Sequence, residues 1–266
     1  PTTGTAAFGK PWAELPAANA DGTMIESYAQ CVKLITDDAT QADGTYRRNY
    51  SMCYDPVHHA ALWVAYPMHS YYTSGSASSE TFVLDPSLDK QQQAVVNSRS
   101  YQADGAAYSR GHQIAKAQRT VTALARKQTN YCSNMTPQNQ TLNGGKWMAL
   151  ESKERGAWMC SDTLYCVSGC HFDNYDTLST DNDGKVCPVP THYYKVMLRT
   201  RSGNTGKSVA ACSASELICA GYWVEHTASA VPQLMTVAEI ETLTGMTFFA
   251  NVPDAPKGTV EASYWE

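Results

Sequence analysis

Residues 109 to 151 constrain this chain more than any other segment. They contain Ser109-Arg110-Gly111-His112, then Asn134-Met135-Thr136-Pro137-Gln138, and then Asn143, Trp147 and Glu151. From Gly105 to Leu150 no Asp or Glu occurs, whereas six residues are basic: Arg110, Lys116, Arg119, Arg126, Lys127 and Lys146. The whole chain has a formal net charge of −5, so the remainder carries 14 basic against 25 acidic residues, or −11. A local cationic surface on an acidic protein indicates a polyanionic ligand that binds at one place.

The length and composition fit a folded chain with a substantial core. The 266 residues are 43% hydrophobic and 17% charged, which argues against global disorder. No apolar run reaches the roughly 18 residues that span a bilayer. We predict a flexible leader over residues 1 to 22, rich in Ala, Thr, Gly and Pro, and one α+β domain over residues 23 to 266. No basic and apolar leader is present, so we expect any signal segment to be absent from this sequence.

Nine cysteines leave three interpretations open. A zinc site requires tight pairs such as C-x-x-C, and none occurs in the sequence. Disulfides in an exported protein are the interpretation that we favour, and buried free thiols are the third. An odd number leaves at least one thiol unpaired.

Hydrophobic patterns predict the main elements. Apolar runs predict strands over residues 60–66, 164–168, 193–198 and 218–224. Residues 24–35 fit a strand or a helix equally well. Residues 172–185 are acidic and fail the calcium-loop pattern, so we predict a solvated turn there. Thr236 and Glu239 form a capping-box pattern, which predicts a helix that ends at Gly245.

A helix predicted over Leu142 to Arg155 groups polar side chains. Asn143, Trp147 and Glu151 follow one another at steps of four, each of which advances about 40° around the axis. Asn143 and Glu151 therefore share a face, two turns apart, and an amide with a carboxylate there could organise a hard cation and its water shell. Magnesium suits this arrangement because it keeps several waters and tolerates few protein ligands.

A histidine beside an arginine completes the chemistry that hydrolysis of a phosphodiester requires. His112 could remove a proton from water, and Arg110 could clamp phosphate oxygens. A structural interpretation of each residue stands beside this one. His112 could be an ordinary hydrogen-bonded histidine, Asn143 a helix N-cap and Glu151 a solvated helix residue.

The order and spacing of these blocks resemble the DNA/RNA non-specific endonucleases of the ββα-metal group, which include secreted bacterial nucleases and mitochondrial endonuclease G. The pattern Ser-Arg-Gly-His, Asn-Met-Thr-Pro-Gln and Leu-Asn-x-Gly-x-Trp-x-x-Leu-Glu carries the resemblance. Further matches are Trp63 to Tyr66, Tyr165 to Gly169, Pro190 to Val196 and Thr236 to Pro253. The resemblance implies a ββα-metal nuclease fold, with a central, mainly antiparallel sheet flanked by helices.

The resemblance also implies a role for each residue of the blocks. His112 would be the general base, and Asn143 the single direct protein ligand of Mg²⁺, with Mn²⁺ as a substitute ion. Glu151 would contact the ion through water, Asn134 would support the site, and Arg110 and Arg155 would bind phosphate. The implied activity is hydrolysis of DNA and RNA to 5′-phosphate products, by a secreted, periplasmic or cell-surface protein. The sequence carries no signal for its oligomeric state.

Two departures from the family pattern affect the site. Ser109 stands where the family has Asp, which changes the local charge. Glu80 stands where the family often has a phosphate-binding arginine, and Arg99 or Arg119 would have to compensate. Two alternative functions therefore stay open: a catalytically impaired nucleic-acid-binding protein on the same fold, and a phosphodiesterase for smaller or lipid substrates.

Overall fold

Antiparallel strands form most of the regular secondary structure of this protein, whose structure is a computed structural model that describes residues 10–19, 21–34 and 46–266. Its strands are β1 (Ile25–Leu34), β2 (Tyr46–Asp55), β3 (Ala60–Met68), β4 (Tyr101–Ala103), β5 (Ala106–His112), β6 (Met135–Gln138), β7 (Leu164–His171), β8 (Leu178–Thr180), β9 (Val186–Pro188), β10 (His192–Thr200), β11 (Leu217–Glu225) and β12 (Gln233–Met235).

The α-helices of the same residues are few and short. They are α1 (Ala123–Thr129), α2 (Gln140–Leu142), α3 (Met148–Arg155) and α4 (Val237–Thr244). A π-helical turn, Asn143–Trp147, joins α2 to α3, and we call residues 140–155 the composite helix. Short 3₁₀ turns cover Ser70–Thr73, Lys116–Gln118, Cys132–Asn134, Val209–Ala211, Ala214–Glu216 and Ala262–Tyr264. No helix of the described residues is long and apolar enough to cross a membrane.

Two sheets organise the described strands. The larger has the order β1-β2-β3-β7-β10-β11-β12, and the smaller has the order β6-β5-β4-β8-β9. The four strands predicted from apolar runs are β3, β7, β10 and β11, and they are neighbours at the centre of the larger sheet. Both faces of these strands are buried, which explains their nearly continuous apolar sequences. Within the ambiguous segment 24–35, strand β1 covers Ile25–Leu34, and Ile35 lies outside the described residues.

Alternation along β10 shows how the sheet divides the core. Tyr193 faces a cluster that includes Trp147 and Leu150 of the composite helix. Its neighbour Tyr194 faces the opposite cluster, which includes Phe248. The composite helix therefore packs on one face of the sheet, and α4 packs on the other. The predicted capping box of α4 is confirmed, and Gly245 ends the helix with φ 71°.

The predicted flexible leader differs from the structure over residues 12–15. Trp12 and Leu15 are buried, and Asn251 Nδ2 donates to the Trp12 carbonyl at 2.9 Å. Glu14 is also buried and accepts a hydrogen bond from Arg48 Nη2 at 2.8 Å. These residues therefore belong to the folded body, because an apolar anchor and a buried ion pair hold them there. The domain boundary at residue 23 stays a prediction, and residues 1–9 and 20 lie outside the described part.

The acidic segment 172–185 was predicted as a solvated turn, and this is wrong at its centre. Asp181 is only 1% exposed, and its carboxylate accepts hydrogen bonds from the backbone N–H groups of Val95, Asp183 and Lys185 at 2.7 to 2.9 Å. The carboxylate thus ties the loop before β4 to the turn between β8 and β9. A buried aspartate that replaces missing backbone partners has the same sequence signature as an exposed turn.

The favoured disulfide interpretation is not supported by the described cysteines. All eight of them are free thiols, and seven are buried: Cys53, Cys132, Cys166, Cys170, Cys187, Cys212 and Cys219. Cys166 and Cys170 are four residues apart on strand β7, or about 13 Å, whereas a disulfide requires Cα atoms within about 7 Å. Burial raises the pKa of Cys53 and Cys187 to about 12, so both behave as inert core thiols.

Candidate active site

Strands β5 and β6 place the first two sequence blocks side by side. Their register pairs Gly111 with Thr136 and His112 with Met135. Gly111 permits this close approach, because a Cβ atom there would lie 2.5 Å from Gln138 Oε1 and 2.6 Å from Gln138 Cβ. The glycine of the Arg-Gly-His block is therefore required by packing against the second block.

The His112 ring is partly exposed, and its hydrogen bonds fix its neutral tautomer. His112 Nε2 lies 3.0 Å from Asn130 Oδ1, while Asn130 Nδ2 donates to the Ser79 carbonyl at 2.8 Å. The second bond orients the amide so that its oxygen faces the ring, and Nε2 must then carry the proton. In the neutral imidazole, Nδ1 is left with the free lone pair that a general base needs.

The surroundings of His112 favour the neutral ring. Desolvation lowers the pKa of His112 to about 4, the bond to Asn130 opposes this shift, and the positive charges of Lys116, Arg126 and Arg110 add to it. The ring is consequently unprotonated over the whole neutral pH range, so no proton occupies the Nδ1 lone pair.

Arg110 lies on the same strand, against an aromatic side chain. Its guanidinium stands over the Phe82 ring, 3.7 Å from the centroid, and Nη1 donates to the Val96 carbonyl at 3.0 Å. Phe82 also contacts the His112 ring, with the centroids 5.7 Å apart. Phe82 thus orders both residues, and the cation keeps donors for an anionic ligand.

Asn134 supports the chain next to His112 rather than facing a ligand. It is fully buried, and its oxygen accepts from Ile114 N–H at 3.0 Å. Its Nδ2 donates to the carbonyls of Ile114 and Thr129 at 2.9 and 2.7 Å. All of these partners are backbone groups, so Asn134 replaces missing secondary-structure bonds in the segment that leaves β5.

Asn143 does not cap the composite helix, so the structural interpretation of this residue as an N-cap is wrong. The N-cap is Asn139, whose side chain accepts from the N–H groups of Thr141 and Leu142 at 2.9 and 3.2 Å. Asn143 lies inside the helix, partly exposed, and its side chain has no hydrogen-bond partner among the described residues. Its amide is therefore available to a ligand.

The π turn brings Asn143 and Glu151 into closer alignment than an α-helix would. A π turn holds one residue more than an α turn, so the eight steps between them are equivalent to about seven. Seven steps leave the two side chains about 20° apart around the axis, against about 80° for eight. The shared face that the sequence predicts is present, and the π turn at Gly144-Gly145 sharpens it.

Trp147 connects this helix to the first block. It is fully buried, as predicted, and its Nε1–H donates to the His112 carbonyl at 3.4 Å. A ring contact with Tyr193, at 5.3 Å between centroids, fixes Trp147 against the sheet. The third block is thereby held beside the first, although the two are far apart in sequence.

Two carboxylates on α3 have contrasting surroundings. Glu154 is fully buried and pairs with Lys195 Nζ at 2.8 Å, and it accepts from Tyr66 Oη and Gln118 Nε2 at 2.9 and 2.7 Å. Glu151 is 9% exposed, and its carboxylate makes no hydrogen bond among the described residues. Glu151 is not the solvated residue that the structural interpretation describes.

Burial sets the protonation of Glu151. Desolvation raises its pKa to about 7, Lys195 and Arg155 oppose the rise, and the negative charge of Glu154 adds to it. An unpaired buried carboxylate with this pKa is a candidate functional group, because a cation would repay the cost of its charge.

Arg155, the last residue of α3, is oriented by its neighbours. Its Nη1 donates to Gln118 Oε1 at 2.8 Å, and Nη2 donates to Ser152 Oγ at 3.0 Å. Gln118 also donates to the Glu151 carbonyl at 3.2 Å, so one buried amide connects three positions of the helix. No sequence pattern marks Gln118, Asn130 or Phe82, since each acts through contacts with residues distant in sequence.

The two departures from the family pattern have defined places. Ser109 Oγ donates to Gln140 Oε1 at the start of the composite helix. Glu80 contacts Lys116 Nζ, and its other oxygen lies 3.6 Å from Arg126 Nη2. Arg119 cannot compensate for the missing arginine, because it is fully buried and donates to Asn49 and to the carbonyls of Pro67 and Gln118. Arg99 is exposed.

The donors at Asn143 and Glu151 fit a hard divalent cation. One amide oxygen and one carboxylate are oxygen ligands of the kind that Mg²⁺ accepts, and neither side chain has a protein partner in the described residues. Within residues 10–19, 21–34 and 46–266, no group of three or more His, Cys, Asp or Glu side chains could hold a metal. The fit is therefore to an ion with few protein ligands and several waters.

Comparisons with known proteins agree with the fold and with the family resemblance of the sequence. The profile of the DNA/RNA non-specific endonuclease family matches residues 33–255, and the chain belongs to this family. A solved structure of EndoG in complex with EndoGI superposes with a TM-score of 0.54, covering 77% of this chain and 84% of that chain at 20% identity. The fold is that of the ββα-metal nucleases, as predicted.

Relatives in sequence include bacterial and mitochondrial nucleases. The nuclease of Serratia marcescens is 26% identical over 251 residues, which cover 92% of this chain and 90% of that protein. Mitochondrial endonuclease G of Bos taurus is 27% identical over 219 residues, which cover 77% of this chain and 69% of the bovine protein. Other mitochondrial nucleases match over about half of their own length.

Proposed function

We propose that this protein is a metal-dependent endonuclease that hydrolyses phosphodiesters of both DNA and RNA and leaves 5′-phosphate products. The family supports nucleic acid as the substrate. The observation that carries the mechanism is a pair of available groups: a His112 ring whose Nδ1 lone pair is free, and a Glu151 carboxylate buried without a partner.

In the proposed reaction, His112 Nδ1 takes a proton from the water that attacks phosphorus. The new bond joins the water oxygen to phosphorus, and the bond to the 3′-oxygen breaks. The 3′-oxygen leaves as a hydroxyl after it gains a proton from solvent, and the phosphate stays on the 5′-oxygen. Arg110 and Arg155 bind the non-bridging oxygens, where negative charge grows.

Asn143 would hold the metal ion directly, with Mg²⁺ the expected ion and Mn²⁺ a substitute, and Glu151 would contact it through water. Such an ion supplies positive charge that stabilises the developing charge on oxygen. Weak selection among bases and sugars follows from a site built of groups for phosphate, since contacts to phosphate carry no sequence information directly.

Digestion of plasmid DNA and of total RNA tests the proposal. We expect both to be cut with Mg²⁺ and left intact with EDTA. His112→Ala should slow cleavage roughly 10²- to 10⁴-fold, the usual contribution of general base catalysis. His58→Ala, in the turn between β2 and β3, is the matched control and should cut normally. Intact substrates over a wide range of Mg²⁺, Mn²⁺ and pH would show that the proposal is wrong.

A catalytically impaired nucleic-acid-binding protein is the second candidate. It is favoured by Ser109, which lacks the charge of an aspartate, and by Glu80, which brings a negative charge to Lys116 and Arg126. It predicts binding that weakens with salt and no turnover at any metal concentration. Cleavage that is lost in His112→Ala decides against it.

We also propose that the protein acts outside the cytoplasm, in the periplasm, at the cell surface or after secretion. The match to the nuclease of Serratia marcescens over 92% of this chain supports this proposal, because the family that the sequence resembles includes secreted bacterial nucleases. Fractionation of the producing cells, followed by a nuclease assay on each fraction, tests it. Activity confined to the cytoplasmic fraction would contradict export.

A further inference from the structure

The loop before Phe82 places the Glu80 carboxylate between two cations, Lys116 and Arg126. Both cations belong to residues 105–150, the segment without Asp or Glu, which we call the acid-free segment. Ala77 N–H donates to the Thr120 carbonyl at 2.9 Å, and the Ser79 carbonyl accepts from Asn130 Nδ2 at 2.8 Å. Beyond Glu80, Val83 N–H donates to the Asn130 carbonyl at 3.1 Å. The backbone is thus held on both sides of Glu80, while the Glu80 side chain itself is 69% exposed.

The two cations come from different elements and converge on this carboxylate. Lys116 lies in a 3₁₀ turn with a side chain 38% exposed, and Arg126 lies on α1 with a side chain 10% exposed. The Asn130 side chain bonds both the His112 ring, at 3.0 Å, and the Ser79 carbonyl, at 2.8 Å, so the residue before Glu80 is held beside the proposed base. Glu80 is the only acidic side chain that pairs with either of them among the described residues.

Arg126 has donors that Glu80 does not satisfy. Its Nη1 donates to the Lys116 carbonyl at 2.5 Å, and its Nη2 lies 3.6 Å from the Glu80 carboxylate, which is longer than a hydrogen bond. Its buried Nε–H has no acceptor among the described residues. A nearly buried guanidinium with spare donors indicates a site that a ligand with more oxygen atoms would complete.

We propose that Lys116 and Arg126 form a second phosphate-binding subsite, and that the Glu80 carboxylate occupies it until a nucleic-acid phosphate displaces it. The proposal rests on the proposed function, since it takes the ligand to be a backbone phosphate next to the one that is cut. A carboxylate and a phosphodiester both carry one negative charge, and both accept bonds from Lys and Arg. Glu80 can leave because its side chain is largely in water, where its ion pairs are weak.

This arrangement has a consequence for substrate choice. A strand that reaches the subsite gains contacts to both cations only after it has displaced Glu80, so the carboxylate lowers the affinity for every polyanion. A mononucleotide that fills the cleavage site alone gains nothing from Lys116 and Arg126. The subsite therefore favours the binding of strands over the binding of short products. Because Glu80 weakens this binding, it lowers the salt concentration at which strands dissociate.

Equilibrium binding without turnover tests the subsite. We would measure the fluorescence anisotropy of a labelled 12-nucleotide single-stranded DNA in EDTA over a series of salt concentrations. Glu80→Gln should bind severalfold tighter than the wild type, and the slope of log K against log salt should steepen by about 1. Lys116→Gln in the Glu80→Gln background should remove both changes. Arg126 is left intact because its burial makes its substitution a risk to folding.

Two controls separate the subsite from overall charge. Asp254→Asn changes the net charge as Glu80→Gln does, at an exposed residue without an ion pair among the described residues, and should leave binding unchanged. Lys127→Gln in the Glu80→Gln background removes an exposed lysine of α1 and should leave most of the gain in place. Equal gains in Asp254→Asn and Glu80→Gln, or a gain that survives Lys116→Gln, would overturn the proposal.

A second measurement does not depend on nuclease activity. Inorganic phosphate should raise the melting temperature of Glu80→Gln more than that of the wild type, relative to chloride at the same ionic strength, and Lys116→Gln should cancel the difference. Equal shifts in all of these variants would refute the subsite. If the phosphate effect follows this order while DNA and RNA stay uncut, the subsite stands and the proposed nuclease function fails.

Discussion

Glu151 and Glu154 lie one turn apart on the same helix, and the difference between them separates the interior of this protein from its candidate active site. Glu154 has an ammonium, a phenol and an amide as partners, whereas the Glu151 carboxylate has no hydrogen bond among the described residues. Both are at least nine-tenths buried. The interior thus pairs its buried charge, and the candidate active site leaves one buried charge unpaired, as expected where a ligand completes the structure.

Removal of the balanced charge should have the largest effect on stability. Glu154→Gln leaves Lys195 buried with an uncompensated charge, so we expect unfolding to require about 3 kcal/mol less free energy, measured by urea denaturation in EDTA at pH 8. Glu225→Gln, at the exposed end of β11, is the control and should change stability little. A loss for Glu154→Gln no larger than the control would mean that Glu154 and Lys195 are not a buried pair.

The same substitution at Glu151 should have the opposite sign. The pKa of Glu151 is raised from 4.5 to about 7, so its ionisation destabilises the fold at pH 8 by up to about 3 kcal/mol. Glu151→Gln should therefore be more stable than the wild type in EDTA at pH 8, while its nuclease activity falls. If Glu151→Gln is as destabilising as Glu154→Gln, the two carboxylates are equivalent and the comparison fails.

The central strands of the larger sheet could be predicted from sequence, because burial on both faces leaves apolar runs such as residues 60–66. The composite helix was predicted as well, since Trp147 and Leu150 repeat at helical spacing. Its π turn was not, because Gly144-Gly145 fits a helix with or without an inserted residue. Asp181 was placed in solvent wrongly, since only the fold shows that its carboxylate replaces backbone partners.

The candidate active site likewise contains residues that could be predicted from sequence and residues that could not. His112, Asn143 and Glu151 stand in motifs, so order and spacing predicted them, and their roles stay predictions. Asn130 selects the tautomer of His112 from a position eighteen residues away, and a lone Asn gives no sign of this. The pairing of Glu80 with Lys116 was also hidden, because the charge pattern shows an acid-free segment but not which acid folds onto it.

Magnesium should stabilise the folded protein through the candidate active site and not through the buried pair of Glu154 and Lys195. An ion bound at Asn143 and Glu151 would raise the melting temperature of the wild type in Mg²⁺ over that in EDTA by a few degrees, since a ligand that binds only the native state stabilises it. Asn143→Ala should lose this increase and need roughly tenfold more Mg²⁺ for cleavage. Lys127→Gln, at an exposed residue of α1, is the control. An increase that persists in Asn143→Ala would exclude Asn143 as the ligand.

The smallest effect concerns His112 and Glu151, two groups of the candidate active site whose contributions to stability change in opposite directions with pH. His112 has a folded pKa of about 4 against 6.5 unfolded, so the unfolded chain binds more protons between these values and stability rises with pH. Glu151 has a folded pKa of about 7 against 4.5 unfolded, so the folded chain binds more protons between these values and stability falls with pH. Between pH 4.5 and 6.5 the two contributions largely cancel in the wild type.

Single substitutions should reveal how each of the two groups alone makes the free energy of unfolding depend on pH. In EDTA, the free energy of unfolding of Glu151→Gln should rise relative to the wild type between pH 4.5 and 6.5, by about 1 to 2 kcal/mol after allowance for solvent screening. That of His112→Ala should fall over the same range, and the double variant should follow the wild type. Other titrating groups contribute equally to all four proteins, so the differences isolate this pair. A His112→Ala curve parallel to the wild type would mean that the ring is not held neutral by its surroundings, and the case for His112 as a base ready at neutral pH would lose its physical ground.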